Sequence, residues 1–130
     1  KNISLTGQMS YSWQHAIDIT DETEKNYRDQ IPYTPKHSGN FSAALQMPWI
    51  NISYLLTVVG DRYASPQNIE RNLIDRYAEQ TVSLNRTFTF GSCSLRLQFD
   101  IINIGNINYD VVKYYPMPGR SFRGGLVFIY

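Results

Sequence analysis

Asn2-Ile3-Ser4-Leu5-Thr6-Gly7-Gln8-Met9-Ser10-Tyr11-Ser12-Trp13-Gln14-His15-Ala16-Ile17-Asp18-Ile19 alternates between apolar and polar side chains almost without fault. Ile3, Leu5, Met9, Tyr11, Trp13, Ile17 and Ile19 share one parity, interrupted by Gly7 and His15, while Asn2, Ser4, Thr6, Gln8, Ser10, Ser12, Gln14 and Asp18 hold the other. Successive side chains of a strand point to opposite faces, so this stretch reads as one strand from Asn2 to Ile19 with a greasy face and a wet face. It is long beside the roughly 5–6 residues that are commonest in globular proteins.

The pattern recurs down the chain. Phe41, Ala43, Leu45 and Met47 oppose Asn40, Ser42, Ala44 and Gln46; Ile52, Tyr54, Leu56 and Val58 oppose Asn51, Ser53 and Thr57. Val82, Leu84, Phe88 and Phe90 oppose Thr81, Ser83, Asn85, Thr87 and Thr89, with Arg86 breaking the apolar side. Leu95, Leu97, Phe99 and Ile101 oppose Arg96, Gln98 and Asp100, and Phe122, Leu126, Phe128 and Tyr130 share a face with Gly124. The expectation is six strands. Short turns follow the second (Pro48 to Asn51) and fourth (Gly91 to Ser94), and long polar stretches follow the first (Thr20 to Gly39), third (Gly60 to Gln80) and fifth (Ile104 to Arg120). Short turns at one end and long loops at the other are the habit of outer-membrane barrels. A soluble β-sandwich or lipocalin-like barrel also has alternating strands and stays open as the alternative.

Composition narrows the classes. Charged residues reach 18% of the chain, against roughly 25% in an ordinary soluble domain. Twelve Lys and Arg against eleven Asp and Glu leave a net charge of +1, no footprint for a nucleic-acid partner. Cys93 is the only cysteine, so neither a disulfide framework nor a multi-thiolate zinc site is expected, and His15 and His37 do not read as a metal pair. Lys1 opens no basic-then-apolar leader, and no apolar run approaches the roughly 18 residues of a spanning helix. A membrane encounter would be made by strands. On the wet face Ser, Thr, Asn and Gln outnumber charges, which suits a hydrated lumen. Tyr11, Trp13, Phe41, Trp49, Phe88, Phe90, Phe128 and Tyr130 cluster near strand ends, where interfacial girdles sit.

The C-terminal run Arg123-Gly124-Gly125-Leu126-Val127-Phe128-Ile129-Tyr130 resembles the terminal strand by which bacterial outer-membrane barrels are recognised during assembly, with Arg123, Gly125, Phe128 and Tyr130 in its diagnostic places. Other segments resemble TonB-dependent outer-membrane receptors of the Bacteroides type, in family order. They are Ile31-Pro32-Tyr33-Thr34-Pro35-Lys36-His37-Ser38-Gly39, Val59-Gly60-Asp61-Arg62-Tyr63, Ile102-Asn103-Ile104-Gly105-Asn106-Ile107-Asn108-Tyr109, and Tyr115-Pro116-Met117-Pro118-Gly119-Arg120-Ser121-Phe122. The resemblance implies an all-β chain forming six C-terminal strands of a transmembrane antiparallel barrel, residues 1–130 being the C-terminal part of a barrel of about 22 strands. The plug domain and earlier strands are expected outside this chain. The implied function is import of a metal chelate (siderophore or haem) or corrinoid-sized nutrient across the bacterial outer membrane. The implied partners are outer-membrane lipid and lipopolysaccharide, the remaining strands and plug, the barrel-assembly machinery, and TonB through the N-terminal part. A soluble β-barrel or β-sandwich binding a small ligand is the competing function.

Arg96, Gln98, Asp100 and Arg123 are expected on the lumen side, meeting the plug or one another. Tyr27, Tyr63, Tyr109, Tyr114 and Tyr115 are candidate extracellular contacts, since tyrosines offer stiff amphipathic area. Asp18, Asp21, Glu22 and Glu24 lack the spacing of a calcium loop and read as a solvated loop. Arg86 is expected near a membrane interface or at a bulge. Asn2-Ile3-Ser4, Asn40-Phe41-Ser42, Asn51-Ile52-Ser53 and Asn85-Arg86-Thr87 match the glycosylation triplet but fall in strands, and read as lumen-facing Asn and Ser. No catalytic constellation, cofactor cradle or metal site is legible, so an enzyme is not expected.

Overall fold

Strand alternation is realised throughout the computed structural model, which describes residues 3–130. In chain order the strands are β1 (Ser4–Trp13), β2 (His37–Gln46), β3 (Asn51–Val59), β4 (Arg62–Tyr63), β5 (Leu73–Ile74), β6 (Tyr77–Phe90), β7 (Cys93–Ile102), β8 (Asp110–Val112), β9 (Tyr115–Pro116) and β10 (Ser121–Ile129), with a 3-10 turn at Glu70–Asn72. Among the described residues there is no α-helix, and no helix long and apolar enough to cross a membrane, which says nothing of strands. The protein is all-β, with one six-stranded antiparallel sheet in the order β1-β2-β3-β6-β7-β10. That order is a meander once the small pairs β4-β5 and β8-β9 are set aside as loop hairpins.

Register preserves the parity of every strand. One continuous row joins Leu5, Leu45, Ile52, Leu84, Phe99 and Gly124, and the next joins Gly7, Ala43, Tyr54, Val82, Ile101 and Phe122. On the other face Ser4, Gln46, Asn51, Asn85, Gln98 and Gly125 form a row, followed by Thr6, Ala44, Ser53, Ser83, Asp100 and Arg123. A slip of one residue at any interface would mix the faces. The rows are also inclined. Leu5 is the second residue of β1, near the short-turn end, whereas Gly124 is the fourth residue of β10, near the long-loop end. The stagger tilts each row relative to the strands. The sheet is open, β1 and β10 each pairing on one side only.

The apolar face has no cover. Leu5 is 75% exposed, Met9 78% and Leu126 75%, and the one buried hydrophobic side chain among the described residues is Ile74 in β5. Phe99, Leu97 and Phe128 are exposed as well, while Asp100 on the wet face is buried. The apolar sides of these strands therefore do not interleave in a closed dry interior.

Three local expectations need correction. The first strand stops at Trp13 rather than Ile19: Ile17 makes only an isolated bridge to Gln30, and the Asp18 backbone is held by Arg28 and Asp29 of its own loop. The long stretches after β3 and β7 are not plain loops, since they fold into the hairpins β4-β5 and β8-β9. The turn after β6 shortens to Gly91 and Ser92, with Gly91 at φ +60, a value that two-residue hairpin turns assign to glycine. Asn2 of the first glycosylation triplet and the reading of Lys1 lie outside the described residues.

Candidate functional site

On the wet face, Arg96, Gln98 and Asp100 alternate along β7, and Arg123 of β10 sits directly opposite Asp100. The Arg123 guanidinium donates Nε to Asp100 Oδ2 at 2.8 Å, and Gln98 Nε2 donates to both carboxylate oxygens at 3.1 and 3.2 Å. Asp100 is 1% exposed while the Arg123 side chain is 68% exposed, so the arginine lies over the carboxylate as a lid open to solvent. Arg96 shares the face but lies nearer the short-turn end, opposite Thr87 and Val127. Asn40, Asn51 and Asn85 point the same way: Thr57 Oγ1 donates to Asn40 Oδ1 at 3.1 Å and Asn51 Nδ2 to Asn85 Oδ1 at 3.0 Å. A hollow of about 450 Å³, lined by Thr6, Gln8, Ser42, Ser53, Ser83 and Arg123 among others, opens on this surface.

Replacing Arg123 by Met keeps the aliphatic stem but removes the charged partner of the buried carboxylate, leaving it with Gln98 and its cross-strand neighbour Ser83. The expected loss is about 1.5–3 kcal/mol, the range for hydrogen bonds to charged groups. Arg123→Lys should recover part of it, a comparison read by denaturant titration.

At the other end of the strands, the segments quoted above interlock. Arg62 is buried and donates Nη2 to the carbonyls of Asp110 at 2.8 Å and Val111 at 2.9 Å. Its guanidinium lies 5.5 Å from the Tyr77 ring centroid, and Tyr77 stacks on Tyr109 at 4.3 Å. Lys113 Nζ donates to the Leu73 carbonyl, tying β8-β9 to β5. Tyr33 N donates to the Tyr63 carbonyl at 2.8 Å, and Gly60 N to the His37 carbonyl at 2.8 Å. Asn103, also buried, donates Nδ2 to the carbonyls of Ile107 at 2.9 Å and Pro118 at 3.2 Å, and accepts from Ile107 N at 3.0 Å. Asn106 Oδ1 accepts from Arg120 N at 2.9 Å, and a Cβ on Gly119 would come within 2.8 Å of that oxygen, so a side chain there would have to displace the Asn106 amide. These side chains fasten one long loop to the next.

The candidate tyrosines divide. Tyr109 is packed in the Arg62-Tyr77 stack, where desolvation first, then the charges of Glu79 and Tyr77, push its phenol above the ordinary value. Tyr63 is half-buried in β4. Tyr27 is half-buried and donates its hydroxyl to Glu22 Oε1 at 3.0 Å within its own loop. Tyr114 and Tyr115, 75% and 72% exposed at the tip of β8-β9, are the two free for a ligand. Arg62 and Glu79, which accepts from Asn103 N at 3.1 Å, carry structure that strand parity does not announce. Arg86 makes no bulge; its guanidinium stacks over Phe88 at 4.4 Å in the turn-end half of β6.

The acidic loop holds itself. Asp21 Oδ1 accepts from Thr23 N and Thr23 Oγ1, both at 2.8 Å, and Asp18 Oδ1 from Thr20 N at 2.9 Å. The backbone and then the hydroxyl of Thr23 lower the Asp21 carboxyl, and the hydroxyl and backbone of Thr20 lower that of Asp18. With folded values depressed, the contribution is complete above the unfolded carboxylate range and is lost as pH falls through the folded values, between about pH 5 and pH 1. Amide exchange at Thr20 and Thr23 should accelerate relative to the sheet in that window. No group of His, Cys, Asp and Glu that could hold a metal ion occurs among the described residues.

Fold and surface thus define an all-β protein whose main sheet has one apolar exposed face and one polar face. No protein-family model matches the chain, and no curated protein matches it.

Proposed function

We propose that this chain forms the C-terminal strands of a TonB-dependent transporter in a bacterial outer membrane, which imports a metal chelate or corrinoid-sized nutrient. The observation that carries the membrane part is the register. Six strands of 9 to 14 residues hold an apolar face continuous and uncovered. Strands that cross a bilayer need about 9–11 residues at a tilt of about 45°. Trp13 and Phe122 lie at the long-loop ends of their strands, and Phe90 and Phe128 at the short-turn ends, as girdles would. The open edges at β1 and β10 call for further strands, because an unpaired backbone edge is not tolerated in lipid.

The transport part rests on the four resembling segments, and their interlocking at the loop end gives each a structural reason to recur together. Further strands, a plug, TonB, the assembly machinery and lipopolysaccharide are the partners of this reading, with Arg123, Gly125, Phe128 and Tyr130 as the assembly signal. A soluble binding module would need its apolar side sealed, and the described strands seal nothing there. The experiment is fractionation followed by uptake. The protein should sediment with outer membranes, resist carbonate extraction and require detergent, and its deletion should abolish uptake of one chelate or corrinoid. Release as a monodisperse monomer without detergent would overturn the membrane reading; intact uptake of all such nutrients would overturn transport.

A further inference from the structure

The β2-β3 pairing, with Ser38 opposite Val59, runs on through a bond from Gly60 N to the His37 carbonyl at 2.8 Å, and the same register carried two residues further brings Lys36 opposite Asp61. Beside them, at the long-loop end of the wet face, lies a hollow of about 280 Å³ walled by Gln30, Lys36, Gly60, Asp61, Tyr63 and Asn68 among others. Opposite charges placed across two strands ordinarily attract each other. These two do not pair: Asp61 Oδ1 accepts from Arg76 N at 2.8 Å, and the ion pair among the described residues is Arg123 with Asp100. A cation and a carboxylate thus border one hollow, both exposed and neither neutralising the other.

The rest of the lining is polar and tied down. Gln30 is 6% exposed, donates Nε2 to the Thr34 carbonyl, and its Oε1 receives no hydrogen bond among the described residues. Asn68 N donates to Asp29 Oδ2 at 3.0 Å, and in the amide orientation that matches donors with acceptors its Nδ2 donates to the Gln30 carbonyl at 3.2 Å. No Leu, Ile, Val or Met lines the hollow, whereas sites for apolar ligands are walled mainly by such side chains.

We infer that this hollow binds an α-amino acid head group, its carboxylate on Lys36 and its ammonium on Asp61 and Gln30 Oε1. A ligand that carries both charges on one carbon satisfies both walls at once, while a plain anion or a plain cation would leave the opposite wall uncompensated. The inference deepens the transport reading above by naming the chemical group of the nutrient that the loop end would hold, and it rests on that reading for its place on the outer surface.

Calorimetric titration of the detergent-solubilised protein tests it with L-alanine, with N-acetyl-L-alanine, which lacks the ammonium, and with L-alanine methyl ester, which lacks the carboxylate. L-Alanine should bind at least about tenfold more tightly than either analogue, the worth of one hydrogen bond to a charged group. Lys36→Gln should erase its advantage over the ester, and Asp61→Asn, which keeps an oxygen for Arg76 N, its advantage over the acetylated form. Nε-Acetyl-L-lysine carries the same head group on a long tail: binding equal to that of L-alanine marks a head group borne by a larger nutrient, and L-alanine binding alone marks a free amino acid. Equal affinity for the three alanine compounds, absence of L-alanine binding, or an advantage that survives both substitutions overturns the site and leaves the transport reading standing. Discrimination by the protein with unchanged nutrient uptake in a deletion strain supports the site and overturns transport.

Discussion

Leu56→Arg is expected to cost the reconstituted protein about 2–4 kcal/mol, whereas Leu55→Arg, one residue earlier, should cost less than about 1 kcal/mol. The two leucines sit at the middle of β3 and differ only in the face they occupy. Leu56 lies between Phe41 and Gln80 on the apolar side, where on the proposed membrane reading a guanidinium at mid-strand would meet hydrocarbon. Leu55 lies between Ser42 and Thr81 on the wet side, 41% exposed, where the same group meets water and hydroxyls. Denaturant titration of folding into lipid vesicles measures the difference. Two similar small costs would mean that both faces meet water, and the membrane assignment would be lost.

The second large effect is expected at Asn103→Ala. Asn103 stands at φ +54, where an alanine costs roughly 1–2 kcal/mol, and its amide closes three hydrogen bonds worth about 1 kcal/mol each. Exchange at the Ile107 amide, which is bonded to Asn103 Oδ1, should accelerate by more than about 100-fold, with new protease sensitivity between Ile104 and Gly119. Asn103→Gly keeps the backbone free to adopt the same φ and isolates the hydrogen-bond part. Unchanged exchange in Asn103→Ala would show that the staple does not hold the loop.

Strand parity was readable because each long strand carries one apolar and one polar face, so period two survives in the residues themselves. It misled at Ile17 and Ile19, whose parity continues that of β1, because Asp18 is captured by its own loop through Arg28 N, Thr20 N and Asn26 Nδ2. Parity also put Asp100 and Arg123 on one face without showing that they touch; that needs the β7-β10 register, a property of two strands together. The hairpins β4-β5 and β8-β9 have two- and three-residue strands, too short for any period, and depend on partners as distant as Arg62 and Val111. Tyr63 and Tyr109 were legible as loop tyrosines but not as packed ones, for the same reason.

The inclined rows have one more bearing on the wet surface. Because each row climbs from the short-turn end at β1 to the long-loop end at β10, hydroxyls such as those of Thr6, Ser53 and Ser83 form an inclined ramp across the sheet rather than a level line. A polar body resting there would trade one partner for the next by sideways steps, so travel along the strands and travel across them would be geared together.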